Sequence, residues 1–287
     1  MKYAVIASQK VSRALPRAKQ CSLVDVSRSS FYASLRREPS ERSLADTLLL
    51  QSIRRIHAES GESYGVPRLR KALALEGARV GKARVGRLFR LTGLFAKHRR
   101  RVSRRGTFKK WIDAENTLGR DFTPGPADRR WAADITYLPT KAGVCYLAVV
   151  LDIGTRQVVG WATSAARDES LPLSALQMAI TRRNPKPGLT HHADQGGQYW
   201  SYGYRRVMGE LKMLPSRSGR AACGDNAVIE SFFGTLKAEC PSLRSKPENR
   251  EAASAAAIDW IECWYNRRRL PSSLGYQTPL AYERMQN

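Results

Sequence analysis

Three acidic residues in the second half of the chain, Asp134, Asp194 and Glu230, stand where a carboxylate needs a reason. Asp134 lies between Ala133 and Ile135 in the strand-like stretch WAADITYLP. An ionised carboxylate inside a sheet is costly unless something compensates it. Asp194 ends the short apolar run LTHHA, just before Gly196 and Gly197, residues that let backbone come close to a ligand. Glu230 falls in GDNAVIESFFGTLKAEC, residues 224–240. There Ile229, Phe232, Phe233 and Leu236 make one helical stripe at i, i+3, i+4 and i+7. Asn226, Glu230, Gly234 and Lys237 share a second face. Singly, these acids read as a hydrogen-bonded core Asp, a turn Asp and a surface Glu. Together they supply the all-oxygen donors that two hard cations need. Mg2+ keeps several waters and binds through few carboxylates plus substrate phosphate. Two such ions ~3.5–4 Å apart can activate the attacking oxygen and stabilise the leaving oxygen at phosphorus. No His/Cys set favours zinc. Asp152, at a strand end, and Asp225, at a helix start, have structural explanations. His191 and His192 have no further ligands nearby in the sequence and read as structural or DNA-side residues.

The elements that must position these acids begin after PGP at 124–126, a boundary signal. WAADITYLP, VCYLAVVLDI and RQVVGWATS are three β-branched, apolar segments separated by KAG and GTR turns, which predicts an antiparallel three-stranded meander. A helix is expected over 169–183, then the short strand LTHHA. A helix over 201–210, a short LKMLP segment, the Glu230 helix and one long helix over 248–268 complete an α/β layer fold.

The front half reads differently. Two short helices are expected within 10–37, the second capped by Ser27 and striped by Phe31 and Leu35. LADTLLLQSIRRIHAES is a helix ending before Gly61, and VPRLRKALALEG a helix with Pro67 in its first turn. KARVGRLFRLTG turns Val85, Leu88 and Phe89 inward and Lys82, Arg84, Arg87 and Arg90 outward. Short helices with a basic last member fit a helix-turn-helix DNA-binding unit. The following run KHRRRVSRRGTFKK, 97–110, holds eight Lys or Arg, with Arg99, Arg100, Arg101, Arg104 and Arg105 among them, and no acid. That density reads as a phosphate-tracking linker. The expected divisions are 1–40, short helical; 41–96, helix-turn-helix; 97–125, basic linker; and 126–287, catalytic core with a C-terminal helix.

Charge agrees with this division. The 287 residues carry 49 basic and 25 acidic side chains, net +24, an imbalance that calls for an anionic partner, nucleic acid first and an anionic membrane surface second. Residues 1–125 account for +18 of it and residues 126–287 for +6. The longest uncharged apolar stretch, GVCYLAVVL, is too short to span a bilayer, and the apolar run at the start is too short for a signal peptide. Five cysteines occur singly without a CxxC pair, four of them flanked by apolar or small residues, which suggests reduced, buried thiols as the default and a cytosolic setting.

With these blocks in view, the chain resembles the DDE transposases with a retroviral-integrase-like, ribonuclease-H-like core. It is most similar to the second-reading-frame (OrfB-type) transposases of the insertion-sequence-three family. WAADITYLPTKAGVCYLAVVLDIGTRQVVGW, HHADQGGQYWS and GDNAVIESFFGTLKAE look like that family's three acidic blocks. YNRRRLPSSLGYQTPLAYE resembles its closing motif, and MKYAVIA, SRSSFYASLRR and YGVPRL look like its front. The resemblance implies a mixed sheet flanked by helices, preceded by an all-α helix-turn-helix region. It implies that Asp134, Asp194 and Glu230 are the metal-binding catalytic triad and that Lys237 contacts DNA ends. It further implies Mg2+, as two ions with Mn2+ able to substitute, nicking of element ends by water, and attack of the freed 3′-OH on another phosphodiester. The implied partners are element ends and target DNA, a homo-oligomer on DNA, and a frameshift fusion to an upstream helix-turn-helix protein, in the bacterial cytoplasm with the nucleoid. The chain departs from the family pattern at Ala193, Gln195 and Gly197, where Ser, Arg and Ser are expected, and at Leu270 and Pro271, where Arg-His is usual. These changes bear on DNA contacts and activity rather than on metal ligands. The competing readings are a DNA-binding regulator that keeps the fold without activity, and a ribonuclease-H-like nuclease without strand transfer.

Overall fold

The computed structural model describes residues 16–36, 38–97, 118–119, 121–194, 196–217 and 225–286. The chain divides into two compact units, 1–52 and 53–287. In the first, α1 (Arg17–Leu23) and α2 (Arg28–Arg36) pack around Cys21 and Phe31. Ser27 caps α2 as expected, its hydroxyl accepting from the Ser30 N–H at 3.1 Å. A third helix, α3 (Glu41–Glu59), crosses the division at Ser52.

The second unit opens with the end of α3, then α4 (Val66–Leu75) and α5 (Lys82–Leu91). Pro67 sits in the first turn of α4, and Leu69 and Leu73, one turn apart, are buried with Val85, Leu88 and Phe89 of α5. The His57 ring meets Phe89 edge-on, 5.3 Å between centroids.

Next comes the sheet: β1 (Arg130–Thr140), β2 (Gly143–Asp152) and β3 (Val158–Ser164) form the expected antiparallel meander. After α6 (Ser170–Arg183), β4 (Thr190–Ala193) returns parallel to β1. A 3-10 turn (Gly197–Trp200) and α7 (Tyr202–Glu210) lead to β5 (Leu214–Arg217), parallel to β4. The LKMLP segment thus supplies a fifth strand, and the sheet order is β3-β2-β1-β4-β5.

Strand parity divides the core. Trp131, Ala133, Ala148 and Val150 face α6 and α7, while Ala132, Leu138, Val149 and Leu151 face α8 (Ala227–Glu239). Behind α8 lie α9 (Pro241–Arg244) and α10 (Arg250–Asp259). The single helix expected over 248–268 is not uniform, because α10 widens into a π-helix at Trp260–Tyr265. Asn266 N–H donates to Ile261 O, an i→i+5 bond. The wider turn lets Trp260, Ile261 and Tyr265 all face the core. It also aims Asn266 at β3, where its side-chain amide pairs with both backbone groups of Val158 at 3.0 Å. A 3-10 turn (Ser272–Leu274) and α11 (Pro279–Arg284) end the fold.

The helical region seats on the core through one close approach. Gly61, at φ +63°, lies so near the Glu239 carbonyl that a Cβ would come within 2.1 Å of it, which excludes any other residue there. Tyr64 hydroxyl accepts from the Leu270 N–H at 2.9 Å, and Arg68 donates to the Leu270 carbonyl at 3.1 Å. Glu239 receives both arms of Arg269 at 2.8 Å. Among the described residues, no helix is long and apolar enough to cross a membrane.

Candidate active site

Asp134 shares the parity of Ala132 and Leu138, so it points to the α8 side of the sheet. The parallel register pairs Ala132 with His192 and Ala133 with Ala193. Continued by one residue, it sets Asp134 beside Asp194, with the strands about 4.8 Å apart. Glu230 lies in the first turn of α8, exposed, while Ile229, Phe232, Phe233 and Leu236 bury the opposite side of the helix. The stripe seen in the sequence therefore anchors the helix and leaves Glu230 outside it.

The electrostatics show that the other two acids act on Asp134. Burial first, then the Asp194 carboxylate and Glu230, raise the half-buried Asp134 carboxyl to about 7. The Ile135 N–H, 2.8 Å from Asp134 Oδ1, and Arg167 pull it back. Asp194 Oδ1 accepts from the Gly196 N–H at 2.9 Å, and the Asp194 carbonyl accepts from the Trp200 indole at 3.2 Å. A Cβ at Gly196 would lie 2.8 Å from Asp194 Oδ1, so the glycine permits this turn. Two neighbours escaped the sequence reading. Arg167 lies in the loop before α6, and the Tyr199 hydroxyl is buried without a hydrogen-bond partner among the described residues. Burial first, then Asp134, Tyr204 and Asp194, holds the Tyr199 phenol well above its ordinary value. Only their tertiary position reveals them, although Tyr199 belongs to the DQGGQY block.

The Lys237 ammonium lies 4.4 Å from the centre of the Tyr137 ring. β4 meets β1 along Arg130–Ala133, so β1 runs on past it and presents Tyr137 at an exposed position. The histidines are structural in geometry: His191 Nε2 is 2.7 Å from the Tyr204 hydroxyl and His192 Nδ1 is 2.9 Å from Ser216 Oγ, both rings buried. Asp152 is fully buried and accepts from the Asp128 and Thr155 N–H groups. Asp225 is buried just ahead of α8.

The donor set suits a hard divalent cation. It holds only carboxylate oxygens, two of which raise the proton affinity of Asp134, and it reaches solvent through Glu230. Among the described residues no three His, Cys, Asp or Glu form a ready-made cage for an ion. Mg2+ needs none, because it binds through one or two carboxylates and completes its octahedron with water and phosphate.

Family models of an integrase core domain match residues 126–223 and 211–279, and an HTH-like domain model matches 43–102. The chain is 34% identical to the transposase InsF for insertion sequence IS3A of Escherichia coli (strain K12), covering 99% of this chain and 98% of that one. It is 36% identical to the insertion element IS600 uncharacterized 31 kDa protein of Shigella sonnei, covering 91% and 96%. It is 33% identical to the transposase for insertion sequence element IS904 of Lactococcus lactis, covering 87% and 99%. The chain belongs to the insertion-sequence-three family of transposases. Its structure is also similar to the HTLV-2 integrase catalytic core domain, with TM-score 0.44 and 16% identity, over 56% of this chain and 99% of that one.

Within this family the departures at Ala193 and Leu270 take a packing role. Ala193 is buried in the α6–α7 side of the core. Leu270 is buried where both its backbone groups hold the helical region. Gly197 opens the 3-10 turn after Asp194, and Gln195 lies outside the described residues. Of the basic residues on α5, Lys82, Arg87 and Arg90 are exposed, whereas Arg84 is half-buried rather than fully outward. Arg99, Arg100, Arg101, Arg104 and Arg105 lie outside the described residues.

Proposed function

We propose that this chain is the catalytic subunit of an insertion-sequence transposase, a DDE polynucleotidyl transferase acting on DNA. The observation that carries the reading is that Asp194, on the neighbouring strand, and Glu230, on a helix, both act on the buried Asp134 carboxyl, in a member of this transposase family. Asp134, Asp194 and Glu230 would hold divalent cations, Mg2+ as two ions or Mn2+ in its place. Such ions supply activation of the attacking oxygen and neutralisation of the leaving one. Water attack on a phosphodiester at the element end frees a 3′-OH. That hydroxyl then attacks a second phosphodiester and displaces its 3′-oxygen, so one ester bond forms as another breaks. Lys237, two helical turns beyond Glu230, would place its ammonium against the DNA end, sliding from the Tyr137 ring to a phosphate. Exposed Lys82, Arg87 and Arg90, with Arg84 and the arginines of 97–110, would bind the duplex. The active species would be an oligomer on DNA in the bacterial cytoplasm, joined through a frameshift to an upstream helix-turn-helix protein. The boundaries 41–96 and 97–125 would separate DNA recognition from linker.

The test is incubation of the protein with a labelled element end, a target plasmid and Mg2+. Nicked ends and joined products are expected. Asp134→Asn, Asp194→Asn and Glu230→Gln should each abolish both while end binding is nearly unchanged, because each removes a ligand and leaves the basic front intact. A variant that still nicks takes its residue out of the site. Binding without nicking by the wild type would make the chain a regulator, and nicking without joining a nuclease.

A further inference from the structure

A second polar site lies on the other flank of α8. A cavity of about 350 Å3 is lined by Arg68, Arg156, Arg269, Ser231, Thr235 and Ser272, with Ala227 and Val228 of the first turn of α8 at its edge. It shares no residue with the carboxylate site. Three guanidinium groups line it, and two of them share one carboxylate, Glu239. Glu239 is taken by both arms of Arg269 at 2.8 Å and lies 3.9 Å from Arg68. Arg156 is 9% exposed and makes no ion pair among the described residues. One of its terminal nitrogens donates to the Phe122 carbonyl; the other, Nη1, is buried with no partner among the described residues. Burial lowers the pKa of both Arg156 and Arg68, and Arg269 lowers that of Arg68 further.

A buried guanidinium with an empty donor costs free energy that a hydrogen-bonded anion would recover. The neighbours suit an anion of one shape. Arginine forks match the oxygens of phosphate, serine hydroxyls donate to them, and the start of a helix favours negative charge. We propose that this cavity binds a phosphate group, held by Arg156 and Arg68 with the hydroxyls of Ser231 and Ser272. The phosphate belongs either to a DNA backbone or to a free anion, and the inference stands without the transposase reading because its test needs no strand cleavage.

The test is thermal denaturation of the full chain in inorganic phosphate against chloride at matched ionic strength. Wild type should gain Tm with rising phosphate until saturation. Arg156→Gln removes the empty donor. Ser272→Glu sets a carboxylate at an exposed position on the cavity wall without disturbing a buried group, so it serves even if the Arg156 variant fails to fold. Either variant should need roughly ten-fold or more phosphate for half its gain. A second arm measures affinity for a random-sequence duplex against salt. If the phosphate is part of DNA, Ser272→Glu should flatten the log K against log salt slope by about 1. If the anion is free phosphate, that slope should stay as in wild type. A wild-type Tm indifferent to phosphate, or a gain that Ser272→Glu leaves untouched, overturns the site whatever the DNA slope.

Discussion

Asp134 and His191 lie on adjoining strands, and burial drives their protons in opposite directions. The carboxyl is held protonated up to about 7, where a cation would take the proton's place. The imidazole is held neutral down to about 3, by burial first and His192 second. An unfolded chain would protonate His191 near the ordinary value of 6.5. Below that pH the unfolded state therefore binds the extra proton and the native state does not, so stability falls as pH drops through about 6.5 and goes on falling toward about 3. The stake for one fully buried imidazole is on the order of a few kcal/mol. Asp134, protonated in the fold over the same range, gains stability as pH falls from about 7 and offsets this loss, but it is common to both proteins; between roughly pH 7 and pH 5 we therefore expect His191→Gln, which can still reach the Tyr204 hydroxyl, to gain stability relative to the wild type. Parallel Tm–pH curves for the two proteins would rule His191 out as a source of the acid sensitivity.

At the scale of elements, α8 carries Glu230 in its first turn and Glu239 in its last. Glu239 and Arg269 are about nine-tenths buried and paired through two hydrogen bonds. Glu239→Gln would leave a buried guanidinium without its counter-charge, at a cost of about 3–5 kcal/mol. The double change Glu239→Leu with Arg269→Met should recover most of that, since apolar replacements of a buried pair are often neutral. Urea unfolding of the three proteins checks this; a loss under ~1 kcal/mol for Glu239→Gln would mean that water reaches the pair. The elements also mark where sequence reading stops. Strands β1 to β3 were legible because their apolar residues and tight turns are local signals, and α8 because its stripe repeats at 3.6 residues. Strand β5 was not, since four residues with Pro215 among them carry no strand pattern and only β4 makes them one. The π-helix was hidden because Trp260 to Tyr265 fit an α-helix until Asn266 must reach Val158. Among site residues, the three acids stood out by their odd settings. Tyr199, Arg167 and Arg156 did not, because their partners are brought from far along the chain.

For the molecule as a whole, the decisive quantity is charge and its placement. Of the net +24, +18 falls in residues 1–125, ahead of the acids assigned to chemistry. A chain charged in this way repels itself unless an anion screens it, and it attracts any polyanion without regard to sequence. Sequence-independent affinity for DNA comes from released counterions, so its strength is read in the salt dependence rather than in one dissociation constant. The run 97–110, with eight basic side chains and no acid, is the densest source of such contacts. Each phosphate it neutralises contributes a slope of about 0.9 on a plot of log K against log salt for duplex DNA. Replacing Arg99, Arg100, Arg101 and Arg104 with Gln should therefore flatten the plot by roughly 3–4 if each meets a phosphate. Titrating a fluorescent duplex of unrelated sequence at several salt concentrations gives both slopes. An unchanged slope would show that the run is solvated, and that the affinity for DNA resides in α5 and the core.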